Sequence, residues 1–281
     1  MNSQYSDRVM TILIWLVASL VIGALFWLLS DILQHGLGQL NWQFLTTTPL
    51  NAGREGGIAP ILISTALIIL VCLGVSFPLG VGTAILLAEF SSQSSVFSRL
   101  VRLSLDVLAG VPSIAFGLFG NAFFSKTLGL GFSILSGGLT LACMVLPILI
   151  RSTQEGLRSA PEDYRRSGAA LGLSRTAILW KLLLPAAMPA LVVGILLGLG
   201  RAIAETAALI FTSGYVDRMP SSLLDSGRAL SVHIFDLAMN ISGGESHAYA
   251  SALTLVIILV VINSIISWLG EWFRRDRLQL L

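Results

Sequence analysis

A single arginine stands inside an otherwise apolar stretch of this sequence. Arg201 lies in the run Ala187–Thr212, and Glu205 follows it by four residues. Residues four apart share one face of an α-helix, so a helical run would place the guanidinium beside the carboxylate. Two chemistries fit. One is a permanent ion pair that lets a charged helix insert in a membrane; the other is a fixed cation for an anion, because the guanidinium stays charged and its planar fork matches an oxyanion.

No catalytic constellation accompanies this arginine. The three histidines, His35, His233 and His247, are scattered, and the sequence holds no HExxH, GxSxG or GxxxxGK[ST] motif. Without that last motif, a phosphate-binding loop, the chain is not expected to hydrolyse ATP itself. Cys72 and Cys143 both stand inside apolar runs, which predicts inert thiols and no disulfide or metal site.

The composition is that of a membrane protein. Of the 281 residues 55% are hydrophobic and 11% are charged, whereas soluble domains carry about 25% charged residues. The net charge of +2 is too small to indicate a nucleic-acid partner. A spanning helix needs about 20 mostly apolar residues, which predicts an all-α integral membrane fold with six spans: 9–33, 60–90, 103–125, 132–150, 187–212 and 250–273. Pro78, Pro112 and Pro147 are expected to kink or break the second, third and fourth spans.

The basic residues orient these spans. The N-terminus, residues 91–102, residues 151–186 and the C-terminal tail carry 12 of the 17 Lys and Arg residues. Residues 34–59, 126–131 and 213–249 carry only 4, and Arg201 is the remaining one. The positive-inside rule places the first set in the cytoplasm. Both termini are then cytoplasmic, as an even number of spans requires.

The segment 151–186 predicts a short helix outside the membrane. Ser159-Ala-Pro-Glu162 has the pattern of a capping box, so a helix is expected from Ala160 to Leu171. Gly172 is placed to end it, and Ser174 to cap a second helix that reaches the membrane at Pro185.

This short helix has two interpretations from its residues. Its apolar side, with Tyr164 and Leu171, would fit a groove on a soluble partner. Arg165, Arg166 and Arg175 would meet acidic groups of that partner or anionic lipid. The alternative is a helix that lies on the membrane surface.

The same segment resembles the EAA loop of ABC-importer permeases. Arg166-Ser-Gly-Ala-Ala-Leu-Gly172 is followed by Leu182-Leu-Leu-Pro185 at the spacing of that loop. The opening triplet departs from the pattern, because Arg166, Ser167 and Gly168 stand where Glu-Ala-Ala is usual. The resemblance implies that the loop couples the chain to an ATPase through Tyr164, Arg165, Arg166, Ser167, Gly168, Ala169, Gly172 and Pro185.

Four further segments narrow the family: Gly56–Pro60, Leu108–Gly120, Leu146–Glu155 and Gly200–Thr206. Together they resemble the permease subunits of bacterial phosphate importers, over nearly the whole chain, and Thr46-Thr-Thr-Pro49 is most like the A-type subunit. The resemblance implies a type I ABC-importer permease fold, a single domain over 1–281, in the bacterial inner membrane. It also implies a homologous permease as partner, two cytoplasmic ATPase subunits that bind ATP and Mg²⁺, and a periplasmic phosphate-binding protein.

The resemblance also gives the charged residues a function. Arg201, with Glu205 to hold it between passages, is expected on the phosphate pathway, and Arg151 is a second candidate whose alternative is a cytoplasmic anchor. Gly194, Gly198 and Ala202 form a stripe of small residues suited to close helix packing. Closure of the ATPases would move the 160–171 helix, and a hinge at Gly172 would pass that motion to the fifth span. Importers of molybdate, sulfate or phosphonate are near alternatives; a stand-alone channel or a membrane enzyme is a more distant one.

Overall fold

The chain folds almost entirely into helices, as apolar segments without access to water must, because only a helix satisfies its own backbone hydrogen bonds there. The computed structural model describes residues 2–92 and 94–278, and side chains within 7–271. The helices are α1 (Asn2–Gly36), α2 (Trp42–Thr46), α3 (Ala59–Ile85), α4 (Val96–Gly110), α5 (Ser113–Gly120), α6 (Ile134–Ser159), α7 (Glu162–Ala170), α8 (Arg175–Ile178), α9 (Leu184–Ile203), α10 (Ala207–Ile210), α11 (Leu230–Met239) and α12 (Glu245–Leu278).

Shorter elements join these helices. π-Helical turns cover Leu86–Phe90, Asn121–Thr127 and Leu179–Leu183, the last joining α8 to α9. Two short strands, β1 (Pro49–Leu50) and β2 (Glu55–Gly56), pair antiparallel, with Pro49 opposite Gly56.

Five helices in the described part of the chain are long and apolar enough to cross a membrane: Asp7–Gly36, Ala59–Phe90, Ile134–Ser159, Arg175–Ile203 and Glu245–Glu271. A sixth span results if Val96–Gly110 and Ser113–Thr127, which are bent by 107° to each other, count as one. The predicted all-α membrane fold is therefore confirmed. The helix ends differ from the predicted spans. The helix of the fourth span, α6, runs nine residues past Ile150, and the helix of the fifth span covers Arg175–Ile203 where 187–212 was expected.

The three prolines behave differently from one another. Pro112 separates α4 from α5, and Val111 before it adopts an extended conformation (φ −72°, ψ 130°), as a residue preceding proline prefers. Of the kink or break predicted at Pro78 and Pro147, no break occurs, because α3 and α6 continue through both prolines. These two helices pack along each other, and packed neighbours hold a transmembrane helix together where a proline removes a hydrogen bond.

The centre of the bundle is α6, which packs between α3 and α9. Its buried residues Leu141, Val145 and Leu149 belong to the largest apolar cluster. The predicted stripe of small residues on α9 faces this helix: Gly194, Gly198 and Ala202 are buried. A Cβ at Gly194 would lie 2.8 Å from Ser152 Cβ, and one at Gly198 would lie 2.6 Å from Val145 Cγ1. Small residues here let the two backbones approach closely, as predicted.

The first helix is joined to the rest at one end. None of the most apolar stretch of α1 is buried, and Trp15, Phe26 and Trp27 are each about 70% exposed or more. At its C-terminal end, Tyr249 Oη on α12 donates a hydrogen bond to Asp31 Oδ2 at 2.9 Å. Lipid or another chain must cover this helix, since so large an apolar surface is not stable in water.

Candidate functional site

Arg201 lies in the last turn of α9, on an exposed side that adjoins the buried glycine stripe. Val193 and Leu197 precede it on this exposed side. Its own side chain is exposed, and within residues 7–92 and 94–271 no hydrogen bond or ion pair reaches it. A charged group on an apolar stripe is unsuited to lipid. The position therefore suits contact with water, an anion or another chain.

The expected pair between Arg201 and Glu205 is not formed. The helix ends at Ile203, so the two residues do not follow each other along one continuous helical face. Glu205 Oε1 instead accepts the backbone N–H of Ala208 at 3.2 Å, and the Glu205 carbonyl accepts Ser231 Oγ at 2.6 Å. Glu205 thus stabilises the break between α9 and α10, and its carboxylate does not neutralise Arg201.

Arg151 has a partner that the sequence analysis missed. Its Nη2 forms an ion pair with Asp106 Oδ1 on α4. The Asp106 side chain is 64% exposed and the Arg151 side chain is 50% exposed. Because α6 extends to Ser159, Arg151 lies roughly 12 Å inside the helix end instead of at it. The sequence signal for this ion pair was Asp106, an acidic residue within the predicted third span 103–125.

Arg151 and Arg201, the two pathway candidates, lie at different levels along the helical bundle. Arg151 is next to Ser152, which packs against Gly194, and Arg201 follows Gly194 by seven residues. That separation corresponds to roughly 10 Å along α9. Arg151 is half covered by the chain and paired with Asp106, whereas Arg201 is exposed and has no such partner among the described residues.

The short helix outside the bundle is α7, which begins later than the predicted helix did. The predicted capping box is wrong, because Ser159 is still part of α6 and its Oγ donates to the Gly156 carbonyl at 3.0 Å. Pro161 occupies the N-cap position without a side-chain cap, and Glu162 and Asp163 lie in the first turn, where acidic groups complement the helix dipole. The helix therefore covers Glu162–Ala170.

The end of α7 follows the prediction. Gly172 has φ +75°, its N–H bonds to the Ala169 carbonyl at 3.0 Å, and Leu173 N–H bonds to the Gly168 carbonyl at 3.0 Å. These two bonds form a Schellman motif, which favours glycine at the left-handed position. Ser174 Oγ then accepts Ala177 N–H at 3.2 Å and caps α8, as predicted.

The residues assigned to ATPase coupling divide between two sides of this loop. Tyr164, Arg166, Ser167 and Ala169 are exposed, as is Leu171. Gly168 is buried, with its would-be Cβ only 2.8 Å from Ile178 Cγ1, and Pro185 is half-buried. The first group is available to a partner, while the second holds the loop together.

Arg165 points inward. Its guanidinium bonds to both carboxylate oxygens of Glu89, Nη2 to Oε1 at 2.6 Å and Nε to Oε2 at 3.3 Å. These hydrogen bonds raise the pKa of Arg165 above its already high value, so the group stays charged. The acidic group that Arg165 meets in this structure is Glu89 of its own chain, in place of the expected acidic groups of a partner or anionic lipid.

A buried group of charged and titratable side chains lies in the segment between Ser213 and Tyr249. Arg228 Nη1 pairs with Asp236 Oδ2 at 3.4 Å and approaches His233 Nδ1 at 3.4 Å. His233 is fully buried, and burial together with the Arg228 charge lowers its pKa to about 3. Within the described residues, no group of three or more His, Cys, Asp or Glu could hold a metal ion, and Cys72 and Cys143 are free.

Residues 80–279 match the family model of the binding-protein-dependent transport system inner membrane component. The chain belongs to this family. It is 32% identical over 285 residues to the probable ABC transporter permease protein YqgI of Bacillus subtilis, covering 96% of this chain and 97% of that protein. It is 30% identical over 259 residues to the phosphate transport system permease protein PstA 2 of Mycobacterium bovis, covering 90% and 85%.

The fold agrees with this family. A bacterial ABC transporter involved in the import of the acidic polysaccharide alginate aligns with a TM-score of 0.61, at 14% identity, over 92% of this chain and 95% of that one. At this identity the likeness concerns the fold alone. The chain is thus a multi-pass membrane component of an ABC transporter, and the predicted resemblance to permeases of phosphate importers is confirmed.

Proposed function

We propose that this chain is the membrane subunit through which an ATP-driven importer moves inorganic phosphate into the cytoplasm. The observation that carries the proposal is Arg201, an exposed cation on an otherwise apolar side of α9. The name of the mycobacterial relative supports phosphate as the substrate.

The reason lies in the energetics of charge in a membrane. An arginine at the centre of a bilayer costs at least about 2.5–3.5 kcal/mol, so an exposed one is stable only beside water or a counter-charge. Because Glu205 bonds to Ala208 instead, Arg201 keeps its donors for a passing anion. A guanidinium binds phosphate through two parallel N–H···O bonds.

Arg151 supplies a second positive group on the proposed pathway. It is held by Asp106, which neutralises it while no anion is present. Phosphate would meet the unpaired Arg201 before the paired Arg151, because the orientation from the positive-inside rule places α9 with its C-terminal end outside.

The proposed assembly contains a homologous permease, two cytoplasmic ATPase subunits and a periplasmic phosphate-binding protein in a bacterial inner membrane. ATP and Mg²⁺ bind to the ATPases, so this chain transports and does not catalyse. The exposed residues of α7, Tyr164, Arg166, Ser167 and Ala169, face the ATPase. Both termini lie in the cytoplasm.

Transport of phosphate by the complex in proteoliposomes tests the proposal. Arg201→Gln is expected to lower uptake about 10- to 100-fold, as the loss of a charged hydrogen bond costs about 1.5–3 kcal/mol. Assembly should be unchanged, measured as ATPase recovered per permease. Arg218→Gln, which changes an exposed arginine of the 213–249 segment, is the matched control and should transport normally.

Normal uptake by Arg201→Gln would refute the pathway role. Competition with sulfate, molybdate and phosphonate tests the substrate, since a guanidinium alone does not discriminate among tetrahedral oxyanions. A complex that takes up one of these and not phosphate would refute the phosphate assignment and leave the importer assignment standing.

A further inference from the structure

The side chain of Arg165 uses its donors on acceptors from three separate elements. Besides the two bonds to Glu89, Nη2 donates to the Leu157 carbonyl at 2.9 Å and Nη1 donates to the Ala160 carbonyl at 3.3 Å. Nη1 also lies 3.6 Å from Glu162 Oε2. A guanidinium has five N–H groups in a rigid fork, so these contacts engage the whole group. We call Glu89, Arg165 and the carbonyls of Leu157 and Ala160 the Glu89 clamp.

The Glu89 clamp joins helix ends that are far apart in sequence. Glu89 lies in the π-helical turn that ends α3, and Leu157 and Ala160 lie at the end of α6, whose last carbonyls have no partner within the helix. Arg165 itself is in α7. Both charged side chains are shielded, with 24% of Arg165 and 15% of Glu89 exposed, so solvent screens the pair less than it would a surface pair.

An apolar cluster lies beside the clamp and connects the same elements. Its buried members Leu157 and Ala160 come from the end of α6, and Ile178, Leu179 and Leu183 come from α8 and the π turn before α9. Ile85 and Ala88, at the end of α3, pack against it. The loop that carries α7 is therefore fixed by packing as well as by charge.

The turn after α7 is equally fixed. Both hydrogen bonds of the Schellman motif at Gly172 are made, and Gly168 packs directly on Ile178. A hinge needs a segment that changes its backbone conformation at little cost, and this one would lose two hydrogen bonds and its packing. The turn at Gly172 is therefore a poor hinge, and a motion of α7 would be passed to α3 and α6 through the bonds between Arg165 and Glu89 instead.

We propose that Glu89 is a coupling residue that makes α7 move as one body with the ends of α3 and α6 when the ATPases close. This inference rests on the proposed function, because it requires an ATPase that pushes on α7. Glu89 touches neither the proposed pathway nor the exposed side of α7; it acts by positioning Arg165. Its loss should therefore separate ATP hydrolysis from transport without reducing either subunit assembly or anion recognition.

The test uses the reconstituted complex with phosphate-loaded binding protein. Glu89→Gln keeps the size of the side chain but removes its charge and one acceptor oxygen. The expected result is about tenfold less phosphate moved per ATP hydrolysed, in the range of known coupling effects, with the ATPases still bound. Arg158→Gln, which changes an exposed arginine on the last turn of α6, is the control and should keep the wild-type ratio. An unchanged ratio in Glu89→Gln would overturn the proposal.

A double-mutant cycle distinguishes the clamp from general damage. If Glu89 acts through Arg165, Glu89→Gln combined with Arg165→Gln should lower the ratio no further than Arg165→Gln alone. Additive losses would contradict the pairing. If the wild-type complex itself shows no ATP hydrolysis stimulated by the binding protein, the proposed function fails before the clamp is tested.

A distance measurement gives an outcome independent of activity. Spin labels at the exposed positions Phe90 and Asp163, in the complex whose Cys72 and Cys143 are replaced by alanine, report on α3 and α7. Their separation should be the same with and without ATP in the wild-type background and should change on ATP binding in Glu89→Gln. A wild-type separation that changes with ATP would show that α7 hinges, against the proposal.

Discussion

Replacing His233 with glutamine should make the folded protein less sensitive to acid. His233 is fully buried on α11, where it faces Arg228, and Asp236 pairs with that arginine. Burial is the main cause of its low pKa of about 3, the Arg228 charge adds to it, Asp236 opposes it and His247 contributes least. The imidazole ring is thus neutral in the folded protein at any ordinary pH.

The magnitude follows from linkage between protonation and folding. In the unfolded chain the ring takes up a proton below its ordinary pKa of about 6.5, whereas in the folded chain it does so only near 3. The unfolded state therefore binds more protons between these values, and the free energy of unfolding falls as the pH falls from 6.5. Each pH unit corresponds to about 1.4 kcal/mol, so this residue accounts for about 2 kcal/mol of lost stability at about pH 5.

The assay compares melting temperatures of the purified chain in detergent at about pH 7.5 and about pH 5. A loss of about 2 kcal/mol corresponds to roughly 4–8 °C for a chain of this size. His233→Gln should reduce the fall in melting temperature between the two pH values by that amount, whatever its effect at neutral pH. His35→Gln, which alters an exposed histidine on α1, is the control for replacing a histidine by glutamine. An equal fall in wild type and His233→Gln would refute the assignment.

Three further substitutions test the packing and the turn. Gly198→Ala places a Cβ 2.6 Å from Val145 Cγ1 and should lower the free energy of unfolding by about 1–3 kcal/mol. Gly200→Ala meets no atom within 4 Å and should raise it by about 0.5–1 kcal/mol; thermal unfolding that moved in the same direction for both would contradict the packing of α9 on α6. Gly172→Pro cannot adopt φ +75° and loses the bond to Ala169, so ATP hydrolysis should continue with little transport; a normal ratio of phosphate to ATP in this variant would show that the turn is not needed for coupling.

Local patterns predicted the parts of this structure that local physics determines. The apolar runs predicted the membrane helices, the spacing of Gly194, Gly198 and Ala202 predicted the packed side of α9, and Gly172 predicted the end of α7. In each case the signal consists of residues within a few helical turns of one another. Such patterns are visible in the sequence without knowledge of the tertiary fold.

The errors have equally physical causes. Ser159 matched a capping box, but the polar residues before it are compatible with a helix, and α6 continues to Ser159. It ends there because Pro161 keeps Ala160 out of the helical conformation (φ −62°, ψ 135°). The pairing of Arg201 with Glu205 failed because the helix ends at Ile203, where the sequence has neither proline nor glycine to signal it. A helix end set by tertiary contacts, here the bond from Ser231 to the Glu205 carbonyl, leaves no local trace.

Partners of the charged residues were the least predictable feature. Arg165 binds Glu89, 76 residues away, and Arg151 binds Asp106, 45 residues away. No spacing rule connects residues so distant, since the contact depends on how four helices pack. The sequence singles out Arg151, Arg165 and Arg201 as candidates, but only the fold shows that Arg165 faces inward.

The charges left uncovered by the fold point to what the chain lacks. Arg201 and the pair of Arg151 with Asp106 are exposed, and Arg201 and Asp106 lie beside exposed apolar residues of α9 and α4. Each unpaired charge surrounded by lipid would cost several kcal/mol, which is a large part of the total stability of a small helical bundle. The exposed charges and the apolar surface of α1 therefore demand different surroundings on different sides of the same chain. The second permease of the proposed assembly, by covering apolar surface and enclosing an aqueous pathway, would satisfy both demands at once, whereas a chain alone in lipid would satisfy only one.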